Sequence, residues 1–245
     1  MKTIVITGST RGIGFGLAGA FLARGCAVAV SGRSQEAVDQ AVAALAAEHE
    51  PGRIFGHPCD VGDHAQAQAL WDAASDHFGR VDIWLNNAGL GHSQQDSWEL
   101  APERIEAVIR TNVLGAIYGT RVAMRGMLAQ GFGAIYNMEG LGSGDSPRVA
   151  GTSIYATSKA GLRYFDAALA QEAKGTPVIV GALNPGMVVT DLVTAPYEGR
   201  PEEWERARRI FNIIADRVET VAPWLVDRML DNTKNGARIS WSSTW

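Results

Sequence analysis

The stretch Thr3-Ile4-Val5-Ile6-Thr7-Gly8-Ser9-Thr10-Arg11-Gly12-Ile13-Gly14 decides the fold of this chain. Its first half is a β-branched run, which is typical of a strand buried on both faces of a parallel sheet. The glycines that follow have the spacing Gly-x-x-x-Gly-x-Gly and precede an apolar helix that ends near Gly25. Glycines let the backbone approach a pyrophosphate, whose charge faces the positive end of that helix. The stretch therefore predicts a dinucleotide-binding turn, the alternative being a purely structural tight turn.

The rest of the chain repeats this alternation of strand and helix. We predict further strands at 27–31, 54–59, 81–85, 133–137, 178–183 and 237–241, and helices at 35–48, 64–78, 102–128, 155–173 and 218–230. This order is typical of an α/β fold, a Rossmann-type doubly wound parallel sheet with helices on both faces, whose ligands lie at the carboxyl ends of the strands. We expect one domain over residues 1–245. Residues 191–212 are expected to form a flap over the substrate or, alternatively, an ordinary surface loop.

Composition and charge argue against several classes of partner. The net charge is −4, and Lys and Arg are scattered, so nucleic acid is not an expected partner. Cys26 and Cys59 show no metal-binding or disulfide spacing and are expected to be reduced core residues. No apolar run approaches the ~20 residues of a membrane span, and Gly8 comes too early for a signal peptide. We expect a cytoplasmic protein, although a processed organelle enzyme would look the same.

A tyrosine and a lysine stand four residues apart in Tyr155-Ala156-Thr157-Ser158-Lys159, at the head of a predicted helix. This spacing puts both side chains on one face. Because a nearby ammonium favours the phenolate, Lys159 is expected to lower the pKa of Tyr155 toward the working range. The pair is a candidate proton-transfer device, although the motif alone is also found on exposed helices with two unrelated polar residues.

The end of the second strand indicates which dinucleotide binds. A carboxylate there would hold the ribose 2′-hydroxyl of NAD, whereas an arginine favours the 2′-phosphate of NADP. The segment Ser31-Gly32-Arg33-Ser34 contains no acid, and Arg11 lies in the glycine turn. The sequence therefore predicts NADP(H), with Arg33 and Arg11 as the phosphate clamp. The alternative for either arginine is a solvated surface charge.

Together these motifs resemble the short-chain dehydrogenase/reductase family along essentially the whole chain. The resemblance implies that Tyr155 is the catalytic acid, that Lys159 holds the nicotinamide ribose, and that Asn112 steadies Lys159 through a water relay. It also implies assembly into a homodimer or homotetramer through helices 102–128 and 155–173. Besides Tyr155, Lys159 and Arg33, the expected cofactor contacts are Gly8, Ser9, Thr10, Arg11, Gly12, Ile13, Gly14, Asp60, Val61, Asn87, Ala88, Gly89, Pro185, Gly186, Val188 and Thr190.

One departure from the family pattern lies just before Tyr155. Most of the family has Asn-x-Ser-Ser here, with the second serine polarising the substrate carbonyl, but this chain has Asn137-Met138-Glu139-Gly140. Ser143 is the expected catalytic replacement, and Ser146 and Ser153 are poorer candidates. A glycine–serine loop without catalytic duty is the alternative. Glu139 is expected either to face the substrate or to cap the loop.

The unusual loop narrows the resemblance to the chlorophyll b reductase branch of the family. Those enzymes reduce a ring formyl group with a nicotinamide cofactor. The expected function is NADPH-dependent reduction of a small-molecule aldehyde or ketone, and a formyl group on a chlorophyll-like or other cyclic substrate is one option. Two rivals stay open: a catalytically weak NADP(H)-binding regulator or scaffold, and an NAD-linked alcohol dehydrogenase.

Overall fold

The chain forms a seven-stranded parallel sheet in a computed structural model that describes residues 1–144, 148–194 and 215–241, together with Glu202, Trp204, Glu205, Arg208, Arg209 and Phe211. The sheet order is β3-β2-β1-β4-β5-β6-β7. This confirms the predicted doubly wound sheet, with β7 at one edge. The order reverses between β1 and β4, so the crevice that binds a dinucleotide in such folds opens at their carboxyl ends. The strands are β1 (Thr3–Ile6), β2 (Ala27–Gly32), β3 (Ile54–Pro58), β4 (Ile83–Asn86), β5 (Gly133–Met138), β6 (Val178–Asn184) and β7 (Ala237–Ser240).

Helices cover both faces of the sheet, and the alternation of side chains along β1 explains why. Ile4 and Ile6 belong to one core cluster and Val5 to the other, because successive side chains of a strand point to opposite faces. The first cluster packs under α1 and α8, and the second under α3 and α5. The helices are α1 (Gly12–Ala23), α2 (Gln35–Ala46), α3 (His64–Phe78), α4 (Pro102–Ile109), α5 (Gly115–Gln130), α6 (Ser153–Glu172), α7 (Asp191–Thr194) and α8 (Val218–Asp231).

The helix predicted at 102–128 contains an irregularity that periodicity did not indicate. Between α4 and α5, residues Arg110–Leu114 form a π-helical turn, and the amide of Gly115 bonds back to the carbonyl of Arg110. Asn112 lies in this turn and is buried. The prediction of one regular helix was therefore wrong at this point, and the irregular turn holds a predicted site residue.

Asp216 contacts both the segment after β6 and the end of β7. Val188 forms a parallel bridge with Asp216, and Trp241 Nε1 donates a hydrogen bond of 2.7 Å to Asp216 Oδ2. The predicted flap at 191–212 begins with α7, and most of it lies outside the described residues. Of the helices in the described ranges, none is both long and apolar enough to cross a membrane.

Candidate active site

The glycine turn after β1 brings the backbone into close contact with the end of β4. Gly8 and Gly12 have φ values of 61° and 59°, which favour glycine. A Cβ at Gly8 would lie 2.7 Å from the Cα of Ala88. Ser9 Oγ bonds to the Ile6 carbonyl at 2.7 Å and accepts from the Ser31 amide at 2.9 Å, so this side chain ties the turn to β2. The turn is therefore built for close approach of backbone and ligand.

Asn87 supplies an acceptor in this crevice. Its Nδ2 donates to the carbonyl oxygens of Thr7 and Gly8, both at 2.9 Å. Its Oδ1 is buried and has no hydrogen-bond partner among the described residues. Because buried polar atoms are normally paired, Oδ1 is suited to accept a hydrogen bond from a bound ligand. The close-packed glycines and this free acceptor fit the dinucleotide that the motif predicts.

The predicted clamp residues Arg11 and Arg33 are exposed, one in the glycine turn and the other directly after β2. Arg33 directly follows Gly32, the last residue of β2. Thr10 of the glycine turn packs against Gly32, because a Cβ there would lie 2.6 Å from Thr10 Cγ2. The Arg11 guanidinium pairs with Asp191 of α7 at 3.5 Å. The Asp60 carboxylate bonds within its own loop, because its Oδ1 accepts a hydrogen bond from the Gly62 amide at 2.9 Å. The neighbouring Val61 is buried beneath it.

The predicted nicotinamide-side residues follow β6 and meet the glycine turn. Gly186 has a φ of 69° directly after Pro185, which turns the chain at the end of the strand. Val188 is buried, whereas Met187 and Val189 are exposed. Thr190 approaches the glycine turn, because a Cβ at Gly12 would lie 3.6 Å from its Cγ2. The two halves of the crevice are thus in contact across the switch point.

Tyr155 and Lys159 lie on the first turns of α6, as their spacing predicts. Lys159 is 3% exposed, and its Nζ donates to the Met138 carbonyl at 2.7 Å; Tyr155 retains part of its surface. Loss of hydration raises the pKa of Tyr155 to about 12 and lowers that of Lys159 to about 8. The expected lowering of the Tyr155 pKa by Lys159 is therefore not seen, because the ammonium lies 6.0 Å from the phenol ring centroid and is bonded elsewhere.

Asn112 links the end of β4 to the catalytic helix. Its Oδ1 accepts from the Leu90 amide at 2.7 Å, and its Nδ2 donates to the Leu90 carbonyl at 3.0 Å and to Ser158 Oγ at 2.9 Å. Ser158 in turn donates to the Tyr155 carbonyl at 2.6 Å. Asn112 thus fixes the first turn of α6 through direct bonds, and the predicted water relay to Lys159 stays a prediction.

The loop after β5 corrects the prediction for Ser143. A Cβ at Gly140 would lie 2.7 Å from the Tyr155 hydroxyl, so Gly140 directly adjoins the phenol. Ser143 has no exposed surface, and its Oγ bonds to the Gly140 carbonyl at 2.7 Å and to Glu139 Oε2 at 3.2 Å. This hydroxyl pins the loop and is closed off from a substrate. Of the poorer candidates, Ser153 is exposed at the start of α6 and Ser146 lies outside the described residues.

Glu139 caps the loop, which is one of the two roles expected from the sequence, because it accepts a hydrogen bond from Ser143 Oγ at 3.2 Å. Its side chain is 1% exposed, and its Oε2 accepts from Arg238 Nε of β7 at 2.7 Å. A buried carboxylate requires such a partner because an isolated charge in the interior is costly. Glu139 therefore joins the active-site loop to the edge strand, and it does not face the substrate.

Replacing Ser143 by alanine tests this correction. We expect kcat to change by less than about 3-fold, because the hydroxyl is not available to the substrate, while the free energy of unfolding falls by about 1 kcal/mol through the lost hydrogen bonds. Steady-state kinetics and denaturant unfolding measure the two quantities. A fall in kcat of about 100-fold or more with unchanged stability would restore Ser143 as a catalytic donor.

Sequence reasoning missed one neighbour of Tyr155. His92 is 8% exposed, and its Nε2 accepts a hydrogen bond from the backbone amide of Tyr155 at 3.3 Å, while Nδ1 bonds to the Ser93 carbonyl at 2.8 Å. The histidine thus satisfies one of the free amides at the start of α6. Nothing in its spacing indicated this contact, because the loop from β4 and the start of α6 meet only in the folded chain.

Comparison with known proteins agrees with this geometry. Residues 2–200 match the family described as short chain dehydrogenase. Among curated relatives, the probable chlorophyll(ide) b reductase NYC1 of Oryza sativa subsp. japonica is 35% identical over 98% of this chain and 49% of its own length. Chlorophyll(ide) b reductase NOL of the same organism is 36% identical over 91% of this chain and 65% of its own length. The chain thus spans about half to two thirds of these relatives.

A solved structure shares the whole architecture. The closed form of serine dehydrogenase complexed with NADP+ superimposes with a TM-score of 0.86 at 25% identity, and the match covers 98% of this chain and 94% of that one. The resemblance to the chlorophyll b reductase branch is confirmed by the relatives named above. The family match over residues 2–200 and these relatives agree with the strand, the glycine turn and the Tyr155–Lys159 pair described above. This chain belongs to the short chain dehydrogenase family.

Proposed function

We propose that this chain is an NADPH-dependent reductase of an aldehyde or ketone, with Tyr155 as the general acid. The observation that carries the proposal is the environment of Tyr155. Its hydroxyl lies 2.7 Å from the position that a Cβ of Gly140 would take, and loss of hydration raises its pKa to about 12. The phenol is protonated at neutral pH and so carries the proton that reduction requires. The raised pKa makes it a weaker acid, so the direction of the reaction is tested by kinetics and does not follow from this pKa.

The residues of the chain divide the work of such a reduction. When bound, NADPH supplies the hydride, and the protein supplies position and electrostatics. Tyr155 donates its proton to the oxygen of the substrate as negative charge develops there. The Lys159 ammonium, 6.0 Å from the ring centroid, attracts the tyrosinate that remains, more weakly than a direct ion pair would. Asn112 and Ser158 hold the first turn of α6 in place during the transfer.

The preference for NADPH over NADH is proposed to depend on Arg33. Replacing Arg33 by alanine is expected to weaken NADPH binding about 10-fold and to leave NADH binding unchanged, because only NADPH carries the 2′-phosphate that a guanidinium binds. Dissociation constants from quenching of tryptophan fluorescence measure both. Arg125, which is exposed on α5, provides the control substitution to alanine. Equal losses for the two cofactors would contradict the proposed role of Arg33.

The substrate class is proposed from the names of the relatives. A formyl group on a chlorophyll-like macrocycle is one candidate, because two relatives are named chlorophyll(ide) b reductases. Other relatives act on different molecules by name, among them D-beta-hydroxybutyrate dehydrogenase of Cupriavidus necator, which is 34% identical over 82% of this chain. An aldehyde or ketone other than a chlorophyll pigment is therefore the broader proposal.

Consumption of NADPH, followed by absorbance, tests the function. The panel contains aliphatic and aromatic aldehydes, ketones and a formyl-bearing chlorophyllide, each assayed with NADPH and NADH. The corresponding simple alcohols are assayed with NADP+ and NAD+. Turnover with NADPH on any member supports a reductase and ranks the substrates. Tight NADPH binding without turnover on the panel would favour the regulator or scaffold, and preferential oxidation of alcohols with NAD+ would favour the dehydrogenase rival. A homodimer or homotetramer, also proposed, is tested by light scattering on the same preparation.

A further inference from the structure

Asp166 is an acidic side chain inside the protein that the proposed mechanism does not use. It lies on α6 and is 6% exposed. Its Oδ1 accepts a hydrogen bond from Asn137 Nδ2, whereas its Oδ2 is buried without a hydrogen-bond partner among the described residues. An ionised carboxylate with one bare oxygen in the interior is costly, and a proton on that oxygen removes most of the cost.

A chain of side-chain amides fixes how Asp166 is held. Asn137 Oδ1 accepts from Asn86 Nδ2 at 2.7 Å, so Asn137 must present its Nδ2 to Asp166. Asn86 is itself oriented, because its Oδ1 accepts from Trp84 Nε1 at 2.8 Å and its Nδ2 also lies 3.0 Å from Thr120 Oγ1. The orientation of this network leaves Oδ2 as the free oxygen of Asp166.

The charged groups that face Asp166 are few. Lys159 stands seven residues earlier on α6, which puts the two side chains within about 20° of each other around the helix. Glu139, at the end of β5, influences both groups and is itself paired with Arg238 of β7. Burial raises the pKa of Asp166 to about 8 and lowers that of Lys159 to about 8. Two interacting groups that titrate in one range behave as a coupled pair.

We propose that Asp166 is a positioning residue that acts on Lys159. The Asp166 carboxyl carries a proton at neutral pH and becomes negative in alkaline solution, where its charge keeps the Lys159 ammonium protonated. The proton leaves to solvent and no other bond changes. The proposal rests on the proposed function only in the role that Lys159 has toward Tyr155. It predicts that the reductase remains active at a higher pH than Lys159 alone would permit.

The isosteric change Asp166→Asn gives the decisive pH profile. An asparagine resembles the protonated acid and still accepts from Asn137, so kcat below about pH 7 is expected to match that of the unchanged protein. At higher pH the variant lacks the negative charge, so Lys159 loses its proton earlier. The alkaline limb of kcat is expected to move to lower pH by about half a unit or more.

Controls separate this effect from a merely structural one. Asp76→Asn removes one acid from the exposed surface of α3 and is expected to leave the alkaline limb in place. Asp166→Glu retains the charge and is expected to restore the limb, even if kcat falls at every pH. An unshifted limb in Asp166→Asn, or an equal proportional loss of kcat at all pH values, would overturn the proposal.

A second measurement needs no substrate and therefore stands if the proposed reductase activity fails. The carboxyl carbon of Asp166, assigned by comparison with Asp166→Asn, is titrated by NMR in the full chain and in Lys159→Met. We expect a midpoint well above the ordinary value of about 3.9, and a further rise when the lysine charge is removed. A midpoint in the ordinary range, or one that Lys159→Met leaves unchanged, would show that the two groups are not coupled.

Discussion

Replacing Tyr155 by phenylalanine is expected to lower kcat for carbonyl reduction by about 10³-fold, while NADPH binding changes by less than about 2-fold. The ring keeps its packing on α6, and only the proton donor is lost. Because the Tyr155 hydroxyl is the proposed proton donor, its removal leaves the substrate oxygen without an acid. Single-turnover kinetics with NADPH, together with cofactor binding by fluorescence, measure the two quantities separately.

Tyr164→Phe is the matched control for this prediction. Tyr164 lies on the same helix but is 79% exposed, so loss of its hydroxyl should leave both kcat and stability unchanged. If Tyr155→Phe retained more than about a tenth of the activity, another group would have to donate the proton. A joint loss of turnover and NADPH affinity would instead indicate that the phenol mainly supports the cofactor site.

Replacing Gly14 by alanine is expected to weaken NADPH binding by about 100-fold and to lower the free energy of unfolding by about 2 kcal/mol. An added Cβ would lie 2.4 Å from Asn87 Nδ2 and 2.5 Å from the Gly8 carbonyl oxygen. Both atoms belong to the crevice, so relieving the overlap must displace the glycine turn or the amide that braces it. Isothermal titration with NADPH and thermal unfolding give the two values.

Gly161→Ala provides the control for a glycine within a helix. A Cβ at Gly161 on α6 would meet nothing within 4 Å, so this change should be neutral or stabilise the protein by about 0.5–1 kcal/mol through helix propensity. Cofactor binding should remain as in the unchanged protein. Tight NADPH binding by Gly14→Ala would contradict the inference that close packing at this glycine shapes the crevice.

The order of elements was predictable because hydrophobic period and glycine position are local properties. The helix over His64–Phe78 begins and ends where the sequence predicts, since Asp63 caps its first turn and Gly79 ends it with a positive φ. The observed strands begin and end within two residues of their predicted bounds. The strand, glycine turn and helix at the start of the chain followed from spacing alone, because the three are contiguous in the sequence.

Contacts between distant segments were not predictable in the same way. Ser143 had a suitable separation from Tyr155, but the direction of its hydroxyl depends on Glu139, which in turn is held by Arg238 from the other end of the chain. The pKa of Tyr155 depends on burial by the folded protein, which spacing on one helix does not encode. Electrostatic expectations from a motif therefore require the surroundings that only tertiary structure supplies.

The π-helical turn at Arg110–Leu114 amounts to one residue more than a regular helix would need over the same length. Deleting a single residue there would allow unbroken α-helical hydrogen bonding and would leave α4 and α5 nearly in register, because five π-helical residues turn through about the same angle as four α-helical ones. Val108 would stay in the core, but Asn112 would lose the bulge that directs it to Leu90 and Ser158. A deletion within the regular part of α4 or α5 would instead rotate one helix face by about 100° relative to the other. The π-helical turn is consequently the one place in this helix where a deletion should spare the fold and remove the Asn112 contacts.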